Sequence, residues 1–365
     1  MMARAVCRQR ILRILFAPAL FAVALTLFSC PIRAATRIRF TPHFVAGQVF
    51  HYSVQMHVDS ASRSTGPVLD PEGPTKVGES LNVILRLEIL DVSGASAAPG
   101  PARIRVTYEK AVAASASDSY DAASSAIAQQ YKKLEGQSIE FTLEPGGEIT
   151  NVTGLDKILP GESRSAIVKQ WLNQLTWGAS IPRKGIAIGE KWSSEQPLDN
   201  VPLAGLAWRT ESTYTRNEPC PAVHSEPAEG AVAQPLTPPT TPEQCAIILT
   251  HSEITGAPAQ PSRRQLRQRG SSSENQPESQ PANQKDRTPD VFRKNGLRTF
   301  GEWTGSSDGL TAISLRTGMV VSVTQTAATH MDFTIMTAAA HNRMRYAGDT
   351  RSQSQISLLS QSSIP

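Results

Sequence analysis

From Phe50 to Val58 apolar and polar residues alternate without a break. Phe50, Tyr52, Val54, Met56 and Val58 face one way, and His51, Ser53, Gln55, His57 and Asp59 the other, which predicts an antiparallel strand buried on one face. Leu81, Val83, Leu85, Leu87 and Ile89 repeat the pattern, as do Ile104, Val106 and Tyr108, with loops rich in Pro, Gly, Ser and Ala between them. Ile139, Phe141 and Leu143 lead into Glu144-Pro145-Gly146-Gly147 and out through Ile149 and Val152, a hairpin.

The second half runs through a similar order. Gly189-Glu190-Lys191-Trp192 echoes Gly47-Gln48-Val49-Phe50, the stretch from Trp208 to Arg216 echoes Leu81 to Leu90, and Ala246 to Ile254 echoes Ile104 to Lys110. Ile313-Ser314-Leu315, a turn at Arg316-Thr317-Gly318 and Val320 repeat the first hairpin with one residue fewer in the turn. The pattern reads as a degenerate internal duplication. Two stripes have helical spacing instead: Tyr120, Ala123, Ile127, Tyr131 and Leu134, and Ile167, Val168, Trp171, Leu172 and Leu175. The fold class that follows is mainly β, with two similar antiparallel β-meander units, stacked as a sandwich or curved into half-barrels, and one or two helices packed on them.

The first residues change the picture of compartment. Arg4, Arg8, Arg10 and Arg13 precede an uncharged run from Ile14 to Phe28, and small residues close at Ala34-Ala35, the order of an export signal. A rival reading takes Leu27-Phe28-Ser29-Cys30 as a lipoprotein box with Cys30 lipidated, the one route by which this reading meets a membrane. Loss of residues 1–34 removes five of the 36 basic side chains and leaves 31 against 32 acidic ones, so the formal charge of +4 belongs to the leader. No broad basic surface for nucleic acid remains. Arg263, Arg264, Arg267 and Arg269 lie in a stretch of Ser, Gln, Asn, Pro and charge that cannot bury enough surface to order itself. Cys220 and Cys245, in an oxidising compartment, read as a disulfide at the base of a proline-rich loop. The chain divides into a signal peptide (1–34), a first β unit (35–154) with a helix at 119–135, and a connecting helix (155–180). A second β unit (181–255 and 296–340) then surrounds a disordered insert (256–295), and a flexible tail (341–365) follows.

This layout of leader, early Gly-x-x-aromatic strand, Gly-bearing hairpin, central helix and repeated elements resembles a loose group of exported bacterial β-rich proteins of unknown function, over most of residues 44–336. The resemblance implies an envelope or secreted protein, in the periplasm or outside the cell, and brings no catalytic residues.

Candidate chemistry is sparse. His51 and His57 share one side of a strand, with Asp59 and His43 nearby, yet residues six apart on a strand stand roughly 20 Å apart and cannot share a metal. Gly161-Glu162-Ser163 reads as a helix start and Gly305-Ser306-Ser307-Asp308-Gly309 as a loop, neither being a nucleophile elbow. Glu140, Glu144 and Glu148 flank the first hairpin as solvated acids rather than a facing pair. No nucleotide, metal or other cofactor signature is found. The tryptophans Trp171, Trp177, Trp192, Trp208 and Trp303 read as core, with Trp171 and Leu175 as the lining of a groove between sheet and helix if there is one. The leading expectation is an exported, non-enzymatic cell-envelope protein with a binding or structural role toward an envelope partner. The alternatives are a carrier or sensor of a lipid or other apolar ligand in the sheet–helix groove, and a secreted hydrolase.

Overall fold

The computed structural model describes residues 37–66, 75–93, 100–117, 128–155, 172, 181–182, 184–198, 201–221, 243–256, 286–337 and 342–363. Eleven strands form one antiparallel sheet: β1 (Gln48–Thr65), β2 (Thr75–Val92), β3 (Ala102–Ser117), β4 (Ser138–Leu143), β5 (Ile149–Thr153), β6 (Lys191–Pro197), β7 (Leu206–Pro219), β8 (Gln244–Gly256), β9 (Leu297–Ser314), β10 (Val320–Thr337) and β11 (Arg343–Ser363). Short helices stand at 128–132 (α1) and Asp290–Lys294 (α2). The fold is therefore mainly β and antiparallel, as the alternation predicts. No helix among the described residues is long and apolar enough to cross a membrane.

The two predicted meanders are not stacked on each other. They lie edge to edge in a single sheet, in the order β5-β4-β3-β2-β1-β11-β10-β9-β8-β7-β6. The sheet is open, with the short strands β5 and β6 as its edges, so few backbone groups are left to pair with another chain. Both runs are laid down in the same direction, β5 to β1 and β10 to β6, and β11 is inserted between them.

That insertion overturns the expectation of a flexible tail at 341–365. Residues Arg343–Ser363 form a 21-residue strand at the centre of the sheet. It pairs with β1 from Gln48↔Ser363 to Thr65↔Arg345, and with β10 from Ser322↔Ser357 to Met336↔Arg343. Its polar composition hides it: Tyr346, Gly348, Thr350, Ser352 and Ser354 alternate with Arg345, Asp349, Arg351, Gln353 and Gln355, so small residues take the places where apolar ones are expected. The expectation of a disordered insert over 256–295 is also corrected at its end. Residues 257–285 lie outside the described residues, but Thr288 is buried, its Oγ1 accepts from the Thr299 amide at 2.8 Å, and Asp286 accepts from Arg298 at 2.8 Å. The predicted Gly305–Gly309 loop is the interior of β9, whose neighbours need its small residues: a Cβ at Gly309 would stand 2.6 Å from Thr250 Oγ1, and one at Gly305 2.8 Å from Thr329 Cγ2. Most of the two predicted helices lies outside the described residues. Of their stripes, Leu172 is fully buried in the main core, and Tyr131 and Leu134 pack against it.

The main core lies at one end of the long strands, and a smaller cluster of Leu203, Leu206 and Phe333 packs toward the other end of β10. Phe50, Tyr52 and Val54 of β1, Leu85 and Leu87 of β2, and Ile104 and Val106 of β3 are buried in one cluster with Ile139 and Phe141. There the Tyr52 hydroxyl donates to the Val320 carbonyl at 2.8 Å, and burial pushes its pKa up from the ordinary phenol value. Beyond the main core, residues 55–65 of β1 and 350–355 of β11 are exposed or half-buried and mostly polar. A line of β-bulges crosses the sheet within the buried end. The register shifts between Tyr214 and Arg216 on β7, Val320 and Ser322 on β10, His51 and Tyr52 opposite β11, and Ile84 and Leu85 opposite β3. Bulges bend and twist the strands that carry them. The chain's leading segment straps the buried end: Ile38 bridges to Ile186, the His43 amide donates to the Thr317 carbonyl at 2.9 Å, and Phe40 packs edge-on against Tyr214.

Candidate functional site

A trough of about 930 Å³ crosses the polar stretches of the long strands. Its centre line is a single row of directly paired residues, Ser117, Val77, Ser60, Thr350, Thr329 and Gly305, taken from six neighbouring strands. Adjacent strands lie about 4.8 Å apart, so the row runs for about 24 Å across the sheet. The remaining lining comes from one residue to either side on each strand. Those residues include Asp59, Lys76, His330, Asp349, Arg351, Thr304 and Ser306, and because side chains alternate along a strand, theirs stand on the other face of the sheet from those of the row. No aromatic side chain lines the trough, and its largest aliphatic one is Val77.

Cross-strand ion pairs fix several of these groups. His330 Nδ1 lies 2.9 Å from Asp349 Oδ1 across the β10–β11 pair, and His57 Nε2 lies 3.2 Å from Asp59 Oδ2 along β1. A similar pair stands outside the trough, where His251 Nδ1 lies 2.7 Å from Asp308 Oδ1 and its Nε2 3.3 Å from Glu253 Oε1. The hydrogen bonds to Asp308 and Glu253 raise the His251 pKa above the ordinary imidazole value. Arg351 stands directly opposite Asp59 in the register, yet it forms no ion pair among the described residues.

Hydroxyl contacts continue on the neighbouring strands. Thr210 and Ser252 are 2.8 Å apart, and Gln325 Nε2 donates to Ser307 Oγ at 2.8 Å.

The sequence-derived candidates separate. His51 contacts Glu109 at 3.4 Å and Ser360 at 3.1 Å, whereas His57 is held by Asp59, so the two imidazoles belong to different contacts. Among the described residues no group of three or more His, Cys, Asp or Glu is placed to hold a metal ion. Glu140 accepts from Arg105 at 2.7 and 2.9 Å, and Glu144 accepts from Thr150 at 3.0 Å. Trp192 packs beside Ile186 and Tyr214, and Trp303 beside Phe333, in two smaller apolar clusters. The indole Nε1 of Trp303 is buried with no partner among the described residues. Ser163, Trp171, Leu175 and Trp177, and with them the expected groove between sheet and helix, lie outside the described residues. Cys220 and Cys245 stand with their sulfurs 2.10 Å apart at the β7–β8 hairpin base, where Cys220 also donates its amide to the Glu243 carbonyl at 2.8 Å. Much of the trough escaped sequence reading because Gly305 and Ser306 read as a loop and Asp349, Thr350 and Arg351 as a tail.

The echo between the halves has a geometric counterpart. Gly47 (φ 83°) and Gly189 (φ 85°) both sit in left-handed backbone that favours glycine, just before β1 and β6. In each turn a side chain folds back on the amide three residues earlier: Gln48 accepts from Val45 at 2.9 Å, and Glu190 from Ala187 at 3.0 Å. Each glycine amide then donates to the next strand, Gly47 to the Ile89 carbonyl at 2.8 Å and Gly189 to that of Tyr214 at 2.6 Å. No protein-family model matches the chain, and no curated protein matches it significantly.

Proposed function

We propose that this chain is an exported, non-enzymatic cell-envelope protein whose task is binding, and that the polar trough is where it binds. The observation that carries this reading is the use of six strands. Of these, β1, β2 and β3 run well past the point where the apolar core ends, and the extensions are long, paired and furnished with polar side chains beside one depression. Extending a strand beyond its core stabilises little and orders backbone at a cost, so these extensions serve something other than packing. A volume of about 930 Å³ lies within the range of ligand sites. The leader and the cysteine pair support export, since a disulfide persists in an oxidising compartment. The internal duplication belongs to the same reading: two copies of one turn-and-meander unit, joined through β11, make a sheet wide enough to carry the trough.

Site-specific photocrosslinking in the source cell tests the proposal. A photoreactive residue at Thr329 should give a discrete adduct, while the same probe at Thr142, on β4 and away from the trough, should give none. Absence of an adduct at Thr329, or equal labelling at both sites, would overturn it.

A further inference from the structure

We infer that the end of the sheet away from the main core, where β9, β10 and β11 meet α2, is a docking surface for an anionic lipid bilayer. The surface is separate from the trough and shares with the proposed function only the envelope location. Arg298, Met336 and Arg343 are directly paired across β9, β10 and β11, so their side chains share one face and the two arginines stand about 10 Å apart. Two residues farther in, Phe300, Thr334 and Arg345 repeat the arrangement on the same face. The short helix α2 runs into β9 through Asn295 and Gly296, which keeps it at that end. It buries none of its residues, and its Val291, 66% exposed, is the most exposed of the large apolar side chains described. Phe300 and Met336 are half-buried beside the arginines.

Charge selects the partner. Arg287, Arg293, Lys294, Arg298, Arg343 and Arg345 stand at this end against Asp286, Asp290 and Asp332. Two of the acids are already engaged, Asp286 accepting from Arg298 at 2.8 Å and Asp332 from Arg345 at 2.8 Å. One row farther in, Arg63 and Glu302 offset one another in sign. Arg287, Arg293, Lys294 and Arg343 form no ion pair among the described residues, and of the three acids Asp290 alone is left to oppose them. An exposed valine beside uncompensated cations is complementary to a surface that is anionic outside and apolar just beneath, which is the profile of a bilayer's headgroup region. An acidic protein or a nucleic acid would match the charge and give Val291 no apolar layer to enter. Ile188, another strongly exposed apolar side chain, lies instead in the turn where Glu190 holds Arg37.

Co-sedimentation of the full mature chain with vesicles of mixed phosphatidylglycerol and phosphatidylcholine, and with pure phosphatidylcholine vesicles as control, tests the inference. The chain should pellet with the anionic vesicles, stay in solution with the neutral ones, and be released as salt is raised. Lys294→Gln combined with Arg343→Gln should lose about 25-fold in vesicle affinity, roughly fivefold per charge, while Arg209→Gln, on β7, should keep it. Val291→Ser should weaken binding about fivefold without altering its salt dependence. All of these side chains are exposed or half-buried, and a melting curve on each variant separates lost binding from lost fold. No pelleting with the anionic vesicles, equal pelleting with the neutral ones, or unchanged affinity of the folded double variant would each overturn the inference. Failure with vesicles together with binding of soluble polyglutamate would overturn it as well and assign the patch to an acidic protein. The Thr329 photoadduct decides the trough separately, so either reading can fall while the other stands.

Discussion

At one end of β1 stand Phe50, Tyr52 and Val54, all buried; toward the other stand Asp59, Ser60 and Arg63, on a strand paired with both neighbours for nearly its whole length. The backbone ladder is the same at both ends and the side chains are opposite in kind. Pairing alone therefore continues a strand once an apolar end has fixed the register, because a slip of one residue there would turn Phe50, Tyr52 and Val54 out of the core. The polar end is held by what remains: ladder hydrogen bonds, cross-strand hydroxyl contacts and exposed ion pairs, each worth little alone. It should be the softer region of the fold.

The contrast is broken most strongly by truncation in the core. Leu87→Ala should destabilise the protein by about 2 to 5 kcal/mol, whereas Ser352→Ala, in the polar end, should change it by less than about 0.5 kcal/mol, both read from urea denaturation. Hydrogen exchange should agree, with the amides of Asp59–Ser62 opening before those of Phe50–Val54. Equal protection at both ends would dissolve the distinction.

The disulfide comes next. Cys220 and Cys245 are separated by 25 positions, and replacing both with Ser should lower stability by about 3 kcal/mol on the chain-entropy account, measured in the same way. A smaller change is expected at Gly309, where a valine side chain would push against Thr250 and cost about 1 to 3 kcal/mol. Loss there exceeding that of Leu87→Ala would show that the polar end is the more tightly packed one.

The two Gly turns give a subtler test. Gln48 performs with an amide what Glu190 performs with a carboxylate, so Glu190→Gln should leave the melting temperature nearly unchanged and Glu190→Ala should lower it. The backbone amide of Ala187 is the first cause holding the Glu190 pKa below the ordinary carboxylate value. An equal drop in both variants would show that charge, through Arg37, matters more than the turn.

The smallest effect concerns pH. His251 titrates above the ordinary imidazole value because Asp308 and Glu253 accept from it, so its contribution to stability is complete below the unfolded pKa of about 6.5 and disappears as pH rises through the higher folded value. NMR titration should show this pKa falling in D308N; no change would remove Asp308 as its cause.

Sequence reading succeeded where large apolar residues alternate. The ends of β1, β2, β3 and β4 announced themselves through Phe50, Leu87, Ile104 and Phe141, and the hairpins through Gly147 and Gly318. It failed on β11 and the middle of β9, where the alternation is between small and charged residues and hydropathy hardly oscillates. Those strands are specified by their neighbours, since Thr350 and Gly305 are strand residues only because β1 and β10 pair beside them. The candidate site is built mostly from such residues, so its absence from the sequence reading and its polar character have one cause.

The pairing of β1 with β11 also sets an order of events. The sheet's midline joins Gln48 to Ser363, nearly the full described chain apart, and contacts of that sequence separation form late and slowly. Until Arg343–Ser363 is in place, β1 and β10 present two long unpaired edges to one another and to any other chain. A polypeptide therefore remains without its seam until Arg343–Ser363 has been made, and a product truncated before Arg343 would lack the seam between its halves, however well each half had folded.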